Sequence, residues 1–192
     1  MRYLLDILQA AGVGCATGVR PFLPALAVGA LARADVGVDF EGTSFAFLES
    51  PIFLAALVVA VAVSLTLSRL RPDDTRLPSA LAGIGIGLGA LLGAGSVDDQ
   101  FSIWWPGLIA GGLAALLASA ATAALIARVR TRLDADARGA LPVYEEGSGV
   151  IIAAGCVLVP PLAILAIGFF IWLLLGSRRR GREKYAGLRI LR

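Results

Sequence analysis

Apolar residues fill most of this chain in five long runs that are separated by short polar stretches. The runs cover residues 3–32, 51–70, 79–97, 106–127 and 149–175. The three middle runs have lengths close to the roughly 20 residues that an α-helix needs to cross a hydrocarbon core of about 30 Å. Each of these three runs therefore predicts one ordinary transmembrane helix.

The first run contains an arginine and a proline near its middle. Arg20 and Pro21 interrupt a stretch that is otherwise nearly apolar. Proline favours the first turn of a helix, so we expect a broken helix whose second half begins at Pro21, with free N–H groups beside Arg20. We also expect this run to begin on the cytoplasmic side near Arg2 and to end on the opposite side near Arg33.

The last run is interrupted by Pro160 and Pro161. A sharp break would make this segment re-entrant, whereas a proline kink would leave it as a fifth crossing. We favour an all-α polytopic membrane helix bundle with four spanning helices, a broken first helix and a broken or re-entrant last segment, and five spans remain the alternative. The bundle is expected to occupy residues 1–177 and a basic cytoplasmic tail residues 178–192.

Arginines concentrate in the loops after the second and fourth runs, and acidic residues concentrate in the loops between. The basic set is Arg69, Arg71, Arg76, Arg128, Arg130, Arg132 and Arg138, and the acidic set is Asp35, Asp39, Glu41, Glu49, Asp98 and Asp99. Basic loops mark the cytoplasmic side of a membrane protein. The basic tail is accordingly expected in the cytoplasm, where it would bind anionic lipid headgroups.

Composition narrows the class of protein. Hydrophobic residues make up 58% of the 192 residues and charged residues only 16%, too few for the surface of a soluble domain. Arginine outnumbers lysine, Ala and Gly are abundant, and Lys184 is the single lysine, which is typical of GC-rich bacterial genomes. We therefore expect a multi-pass protein of the bacterial cytoplasmic (inner) membrane, with the lipid bilayer as its surroundings.

Several chemistries are not expected from this sequence. The chain has no histidine, and its two cysteines, Cys15 and Cys156, lie in apolar surroundings. No metal site, cofactor or enzymatic activity is therefore expected. The alternating glycines of the third run lie inside a membrane helix with no strand before them, so they are not a nucleotide-binding loop, and no nucleic-acid partner is expected.

Glycines spaced four residues apart mark the third and fourth runs. They are Gly85, Gly89 and Gly93 in the third run and Gly107 and Gly111 in the fourth. Small residues at this spacing let helix backbones approach closely. We expect the third and fourth helices to pack against each other through these glycines, and self-association of two chains, giving a homo-oligomer, is the second interpretation.

Arg20 is the leading candidate for a binding residue. An ionisable residue inside a membrane faces the bundle interior or water rather than lipid. With Gly18 and Pro21 it would form a substrate-binding site at a broken helix, where a guanidinium and free N–H groups attract an anion. The alternative is a structural ion pair with Glu145 or Glu146, which are interpreted as the acidic start of the last segment and as candidate counter-ions.

The motif Gly18-x-Arg20-x-Phe22-Leu23-Pro24, followed by an Ala/Leu/Gly helix, resembles the opening of a bacterial membrane family catalogued as domain of unknown function 4126. The acidic pair and the proline-containing last segment are also similar. The resemblance implies acidic residues near the end of the second helix, where this chain has Ser64 and Ser68. The family name implies a membrane fold and no activity.

Two functions from different classes remain open at this stage. The leading one is a small transporter or channel-like protein for an anionic solute or lipid headgroup, with its site at Arg20. The alternative is a membrane scaffold or accessory subunit without transport activity, in which the glycine-rich faces bind partner helices and Arg20 forms a structural pair.

Overall fold

The computed structural model describes residues 2–70, 74, 76–98, 103–133 and 139–176 in full, and the backbone alone for residues 99–101, 135–138 and 177–186. Seven α-helices lie in this part of the chain: α1 (Arg2–Val19), α2 (Phe22–Arg33), α3 (Pro51–Leu70), α4 (Arg76–Phe101), α5 (Trp105–Arg130), α6 (Ala135–Leu158) and α7 (Leu162–Ala186). A turn of 3-10 helix, Ala46–Glu49, precedes α3.

Four helices are long and apolar enough to cross a membrane. They are α3, the Arg76–Asp98 part of α4, α5 and the Gly139–Leu158 part of α6. The prediction of an all-α bundle with four spanning helices is confirmed. The bounds of α3 are those of the second apolar run, and α4 and α5 extend a few residues beyond the third and fourth runs.

The break at Arg20 and Pro21 reverses the chain, so that α1 and α2 form a helical hairpin. The side-chain amide of Gln9 donates a hydrogen bond of 2.7 Å to the carbonyl of Gly37, which lies beyond the end of α2. The expectation that this run begins on one side and ends on the other is therefore wrong, because Arg33 returns to the end of the bundle where α1 begins. A run of about 30 residues would extend ~45 Å as one helix, which is too long for a single crossing.

A second hairpin joins α6 to α7 through the turn that contains Pro160 and Pro161. A Cβ placed on Gly12 would lie 2.5 Å from the Cβ of Cys156 and 3.1 Å from that of Ala163, so both arms of this hairpin pass Gly12. α7 thus runs parallel to α1, back towards the end of the bundle that carries Arg20. The predicted basic tail, 178–192, lies outside the residues whose side chains the structure describes.

Helix α1 is the centre of the bundle. It packs against α4, α5, α6 and α7, and every residue from Gln9 to Gly18 is buried. A Cβ on Gly14 would meet the backbone of Gly111, and a Cβ on Gly18 would meet that of Ala115, so α1 and α5 run parallel with their backbones in close contact. α1 is therefore surrounded by protein, whereas α3 is mostly exposed.

The loop between α2 and α3 covers the end of the bundle where α1 begins. Phe40 and Leu48 are fully buried, and Phe40 packs against Gly95 of α4. Glu49 is also buried in this loop, and its burial raises the pKa of its carboxyl group, with further increases from the charges of Asp39, Glu41 and Asp35. A hydrogen bond from the backbone N–H of Phe40 offsets part of that increase.

Candidate functional site

Arg20 lies close to the middle of the spanning helices. Its neighbour Gly18 is in contact with Ala115, near the centre of α5, and Thr17 is in contact with Gly85, near the centre of the spanning part of α4. α1 ends at Val19 and Pro21 precedes α2, so the tip of the hairpin places Arg20 at this depth. No side chain caps the first turn of α2. The site therefore combines a buried cation with the free N–H groups of a helix N-terminus.

Arg20 is paired with Glu145. Its Nε atom lies 2.5 Å from Oε2 of Glu145, and the two side chains are 9% and 13% exposed. The structural ion pair, which was the alternative to an anion-binding site, is thus present, and Glu145 is the partner. An ion pair taken out of water is stabilising only when its geometry is good, and removing one partner leaves an uncompensated charge.

Glu146 is the most buried charged residue of the site. It is 2% exposed, and neither carboxylate oxygen has a hydrogen-bond partner among the described residues. The guanidinium of Arg20 and the backbone N–H of Leu23 lie nearby, although neither forms a hydrogen bond with the carboxylate of Glu146. The interpretation of this pair as the start of the last segment is wrong, because both glutamates lie inside α6, which begins at Ala135.

A cavity of about 310 Å³ leads to Arg20 from the end of the bundle that carries the basic loops. Its walls come from the hairpin tip, the last turns of α3, the first turns of α4 and the second half of α5. Gly18, Arg20, Pro21 and Glu145 all line it, whereas Glu146 lies behind Glu145 and is not part of the wall. Because α1 is buried from Gln9 to Gly18, the cavity ends at the hairpin tip.

The cavity wall combines polar and apolar residues. Its polar residues beyond the hairpin are Ser68, Asp74, Ser119, Thr122 and Arg130. Sequence reasoning did not select Ser119 and Thr122, although their spacing of three residues places them on one helix face. Hydroxyl groups and charges of both signs can hydrogen-bond a small polar or anionic solute, and the apolar residues suit a short hydrocarbon portion.

The five selected glycines lie at the contact of α1, α4 and α5. Gly93 faces Gly107 and Gly89 faces Gly111 across α4 and α5, and Gly85 faces Thr17 of α1. Added Cβ atoms would come within 2.0 to 2.6 Å of the neighbouring helix at each of the five positions. These glycine faces are thus occupied within one chain, whereas Gly83 and Gly87 have open space around them.

The described residues contain no group of three or more histidine, cysteine or acidic side chains that could hold a metal ion. The two cysteines are buried and free. The chemistry within reach at the hairpin tip is therefore that of one guanidinium, two carboxylates, hydroxyl groups and the N–H groups at the start of α2.

Comparison with known proteins places the chain in one family. No curated protein and no solved structure matches it. The family model described as "Domain of unknown function (DUF4126)" matches residues 7–180, from the first turns of α1 into α7. The match therefore includes the hairpin tip, the cavity and the acidic pair. With its four long apolar helices, this chain is a membrane protein that belongs to the DUF4126 family of unknown function.

Proposed function

We propose that this protein is a small membrane transporter or channel-like protein, without enzymatic activity, that admits an anionic solute or lipid headgroup to Arg20. The observation that supports the proposal is the cavity that leads from the basic end of the bundle to this buried arginine near mid-depth. Broken helices that present their N-termini to substrate near the middle of the membrane are a recurring design of transporters.

The Arg20–Glu145 pair defines how an anion would bind. Glu145 occupies Nε of the guanidinium, while the planar fork of an arginine offers further donors to a carboxylate or phosphate. An incoming anion would share Arg20 with Glu145 or displace it into the cavity, whose wall Glu145 already forms. Because one negative partner replaces another, Arg20 is never left buried and uncompensated.

The experiment compares Arg20→Ala, Arg20→Lys and Arg33→Ala in proteoliposomes loaded with a panel of small anions. We expect Arg20→Ala to lose anion flux and anion-dependent thermal stabilisation. Arg20→Lys should recover part of both, since an ammonium group cannot reproduce the planar fork. Arg33 is exposed at the end of α2, so Arg33→Ala is the matched control and should behave like the parent. A stable Arg20→Ala variant that is indistinguishable from the parent in flux and binding would refute the proposal.

The second candidate function is a membrane scaffold, and the Arg20–Glu145 ion pair is the observation that favours it. In that case Arg20→Ala would leave Glu145 buried without a partner, at a cost of about 3–5 kcal/mol. The double variant Arg20→Ala/Glu145→Gln should then recover most of the lost stability. Partner helices could not use the five selected glycines, which are occupied within the chain, whereas the face of Gly83 and Gly87 is open.

A further inference from the structure

The Glu146 carboxyl is a buried acidic group without a hydrogen-bond partner among the described residues. It sits inside the spanning part of α6, it is 2% exposed, and both of its oxygens lack a hydrogen-bond partner in the described structure. A charged carboxylate in such a place is costly, because no donor of good geometry in the described structure replaces its hydration. A ligand that neutralises the carboxylate would remove this cost.

Two charged groups face Glu146 among the described residues. Arg20 approaches it from the hairpin tip and Glu145 is its neighbour on α6. Arg20 forms an ion pair with Glu145, so the charge of the guanidinium is already neutralised by a carboxylate other than Glu146. With Glu146 ionised the cluster carries one net negative charge, and with Glu146 neutral the cluster is balanced.

A proton fits this position better than a metal cation. Hard cations such as Ca²⁺ or Mg²⁺ require about six oxygen ligands. Only Glu145 accompanies Glu146 as a nearby carboxylate, it is turned to Arg20, and no metal-binding group of side chains occurs in the described residues. A proton needs a single oxygen, and it leaves a neutral acid whose burial is far less costly than that of the anion.

We infer that Glu146 is a proton-binding residue, and that its proton keeps Arg20 available to an anion. One O–H bond forms on a carboxylate oxygen of Glu146, and the carboxylate becomes a neutral acid. The proton comes from solvent in the cavity and passes Glu145, which lines the cavity wall in front of Glu146. When the proton leaves, Glu146 competes with Glu145 and with any anion for Arg20. Proton binding stands by itself, whereas the coupling to an anionic solute rests on the proposed function.

Infrared difference spectroscopy tests the proton directly. A protonated carboxylic acid has a C=O stretching band that a carboxylate and an amide lack. We expect the wild-type protein in lipid to show such a band at neutral pH and to lose it at higher pH. Glu146→Gln should remove the band, and the matched control Glu41→Gln, at an exposed loop position, should keep it. Glu145→Gln should also lose the band, because an ionised Glu146 then balances Arg20. Absence of the band, or its survival in Glu146→Gln, would overturn the inference.

Stability supplies an independent readout. Glutamine has the shape of a protonated glutamic acid, so Glu146→Gln should melt at the wild-type temperature, whereas Glu145→Gln, which breaks the pair with Arg20, should melt lower. If Glu146 were instead a charged partner of Arg20 and of the Leu23 N–H, Glu146→Gln would be destabilised as strongly as Glu145→Gln. That result would refute proton binding, as would stabilisation of the wild type by Na⁺ at constant pH and ionic strength.

Anion binding measured against pH separates this inference from the proposed function. With one coupled proton, anion affinity should fall by up to about tenfold per pH unit above the titration of Glu146, and Glu146→Gln should abolish that slope. A Glu146 band without any anion binding would leave proton binding intact and refute the proposed function. Anion flux that depends on Arg20, in a protein without a Glu146 band, would support the proposed function and refute proton binding.

Discussion

Replacing Gly111 with alanine should destabilise the bundle, whereas the same change at the adjacent Gly112 should not. A Cβ at position 111 would lie 2.1 Å from the carbonyl oxygen of Gly89 and 3.0 Å from its carbonyl carbon. A Cβ at position 112 would lie 3.5 Å from the Cβ of Ala90, which is ordinary van der Waals contact. The two variants add one methyl group to neighbouring positions of the same helix, so intrinsic helix propensity changes equally in both.

The magnitude follows from what the added methyl group meets. Ordinary contact begins near 3.4 Å, and an oxygen at 2.1 Å requires α4 and α5 to separate by the difference, about 1.3 Å. The obstacle is backbone, which cannot rotate away as a side chain would. Overpacking of this kind costs ~1–3 kcal/mol or more, while alanine recovers about 1 kcal/mol of helix propensity relative to glycine. Because the propensity gain is common to both variants, they should differ by the overpacking cost alone, ~1–3 kcal/mol or more.

The assay is unfolding in mixed micelles, with helicity as the signal and wild type, Gly111→Ala and Gly112→Ala prepared in parallel. Gly112→Ala is expected to match or exceed the wild type. Gly111→Ala is expected to unfold at a lower denaturant fraction and to melt several degrees lower, since 1 kcal/mol corresponds to roughly 2–4 °C for a chain of this size. Equal stability of the two alanine variants would show that the α4–α5 contact is not close-packed, and the reasoning from the glycine face would fail.

Three further predictions concern the opposite end of the bundle and the chain termini. Gln9→Leu removes the hydrogen bond to Gly37 and should cost about 1–3 kcal/mol in the same unfolding assay, whereas Thr66→Val, which removes a bond within α3 only, should change little. The pKa of Glu49 is raised in the folded protein, so the folded state binds this proton more tightly than the unfolded state does. The free energy of unfolding of the wild type should therefore rise as the pH falls from the raised pKa to the ordinary pKa of about 4.3. Glu49→Gln should be more stable than wild type at neutral pH, and a pH-independent difference would contradict this. Since α1 and α7 run parallel, reporters fused to the two termini should lie on opposite sides of the membrane, the C-terminal one in the cytoplasm, and reporters on one side would exclude two hairpins.

The middle helices were readable from the sequence because their apolar runs match the thickness of a bilayer. α3 lies between Ser50 and a basic loop, and its predicted and observed bounds coincide. The direction of the chain after Arg20 could not be predicted in the same way. A proline between two apolar stretches is compatible with a kink or with a reversal of the chain. The reversal brings Gln9 of α1 into contact with Gly37, beyond the end of α2, and this long-range contact is not visible in the local sequence pattern.

The residues of the candidate site could be predicted from the sequence, but their arrangement could be predicted only in part. Charge in an apolar run singled out Arg20, and charge before an apolar run singled out Glu145 and Glu146. Their different roles depend on side-chain orientation, since Glu145 reaches Arg20 while Glu146 is left without a hydrogen bond. The start of α6 was misplaced because charges normally mark the end of a membrane segment, whereas here Arg20, at the tip of the α1–α2 hairpin, pairs with Glu145 inside the bundle.

The central position of α1 has a consequence for the order of events during synthesis. α1 is made first, and yet the four helices that surround it begin at residue 76 or later. At about 5–20 residues per second, the ribosome needs several seconds to supply even the first of them. During that interval Arg20 lacks its partner Glu145, and Gly14 and Gly18 lack the helix that covers them in the finished bundle. We therefore expect the burial of the α1–α2 hairpin to be completed only after α6 and α7 have been made.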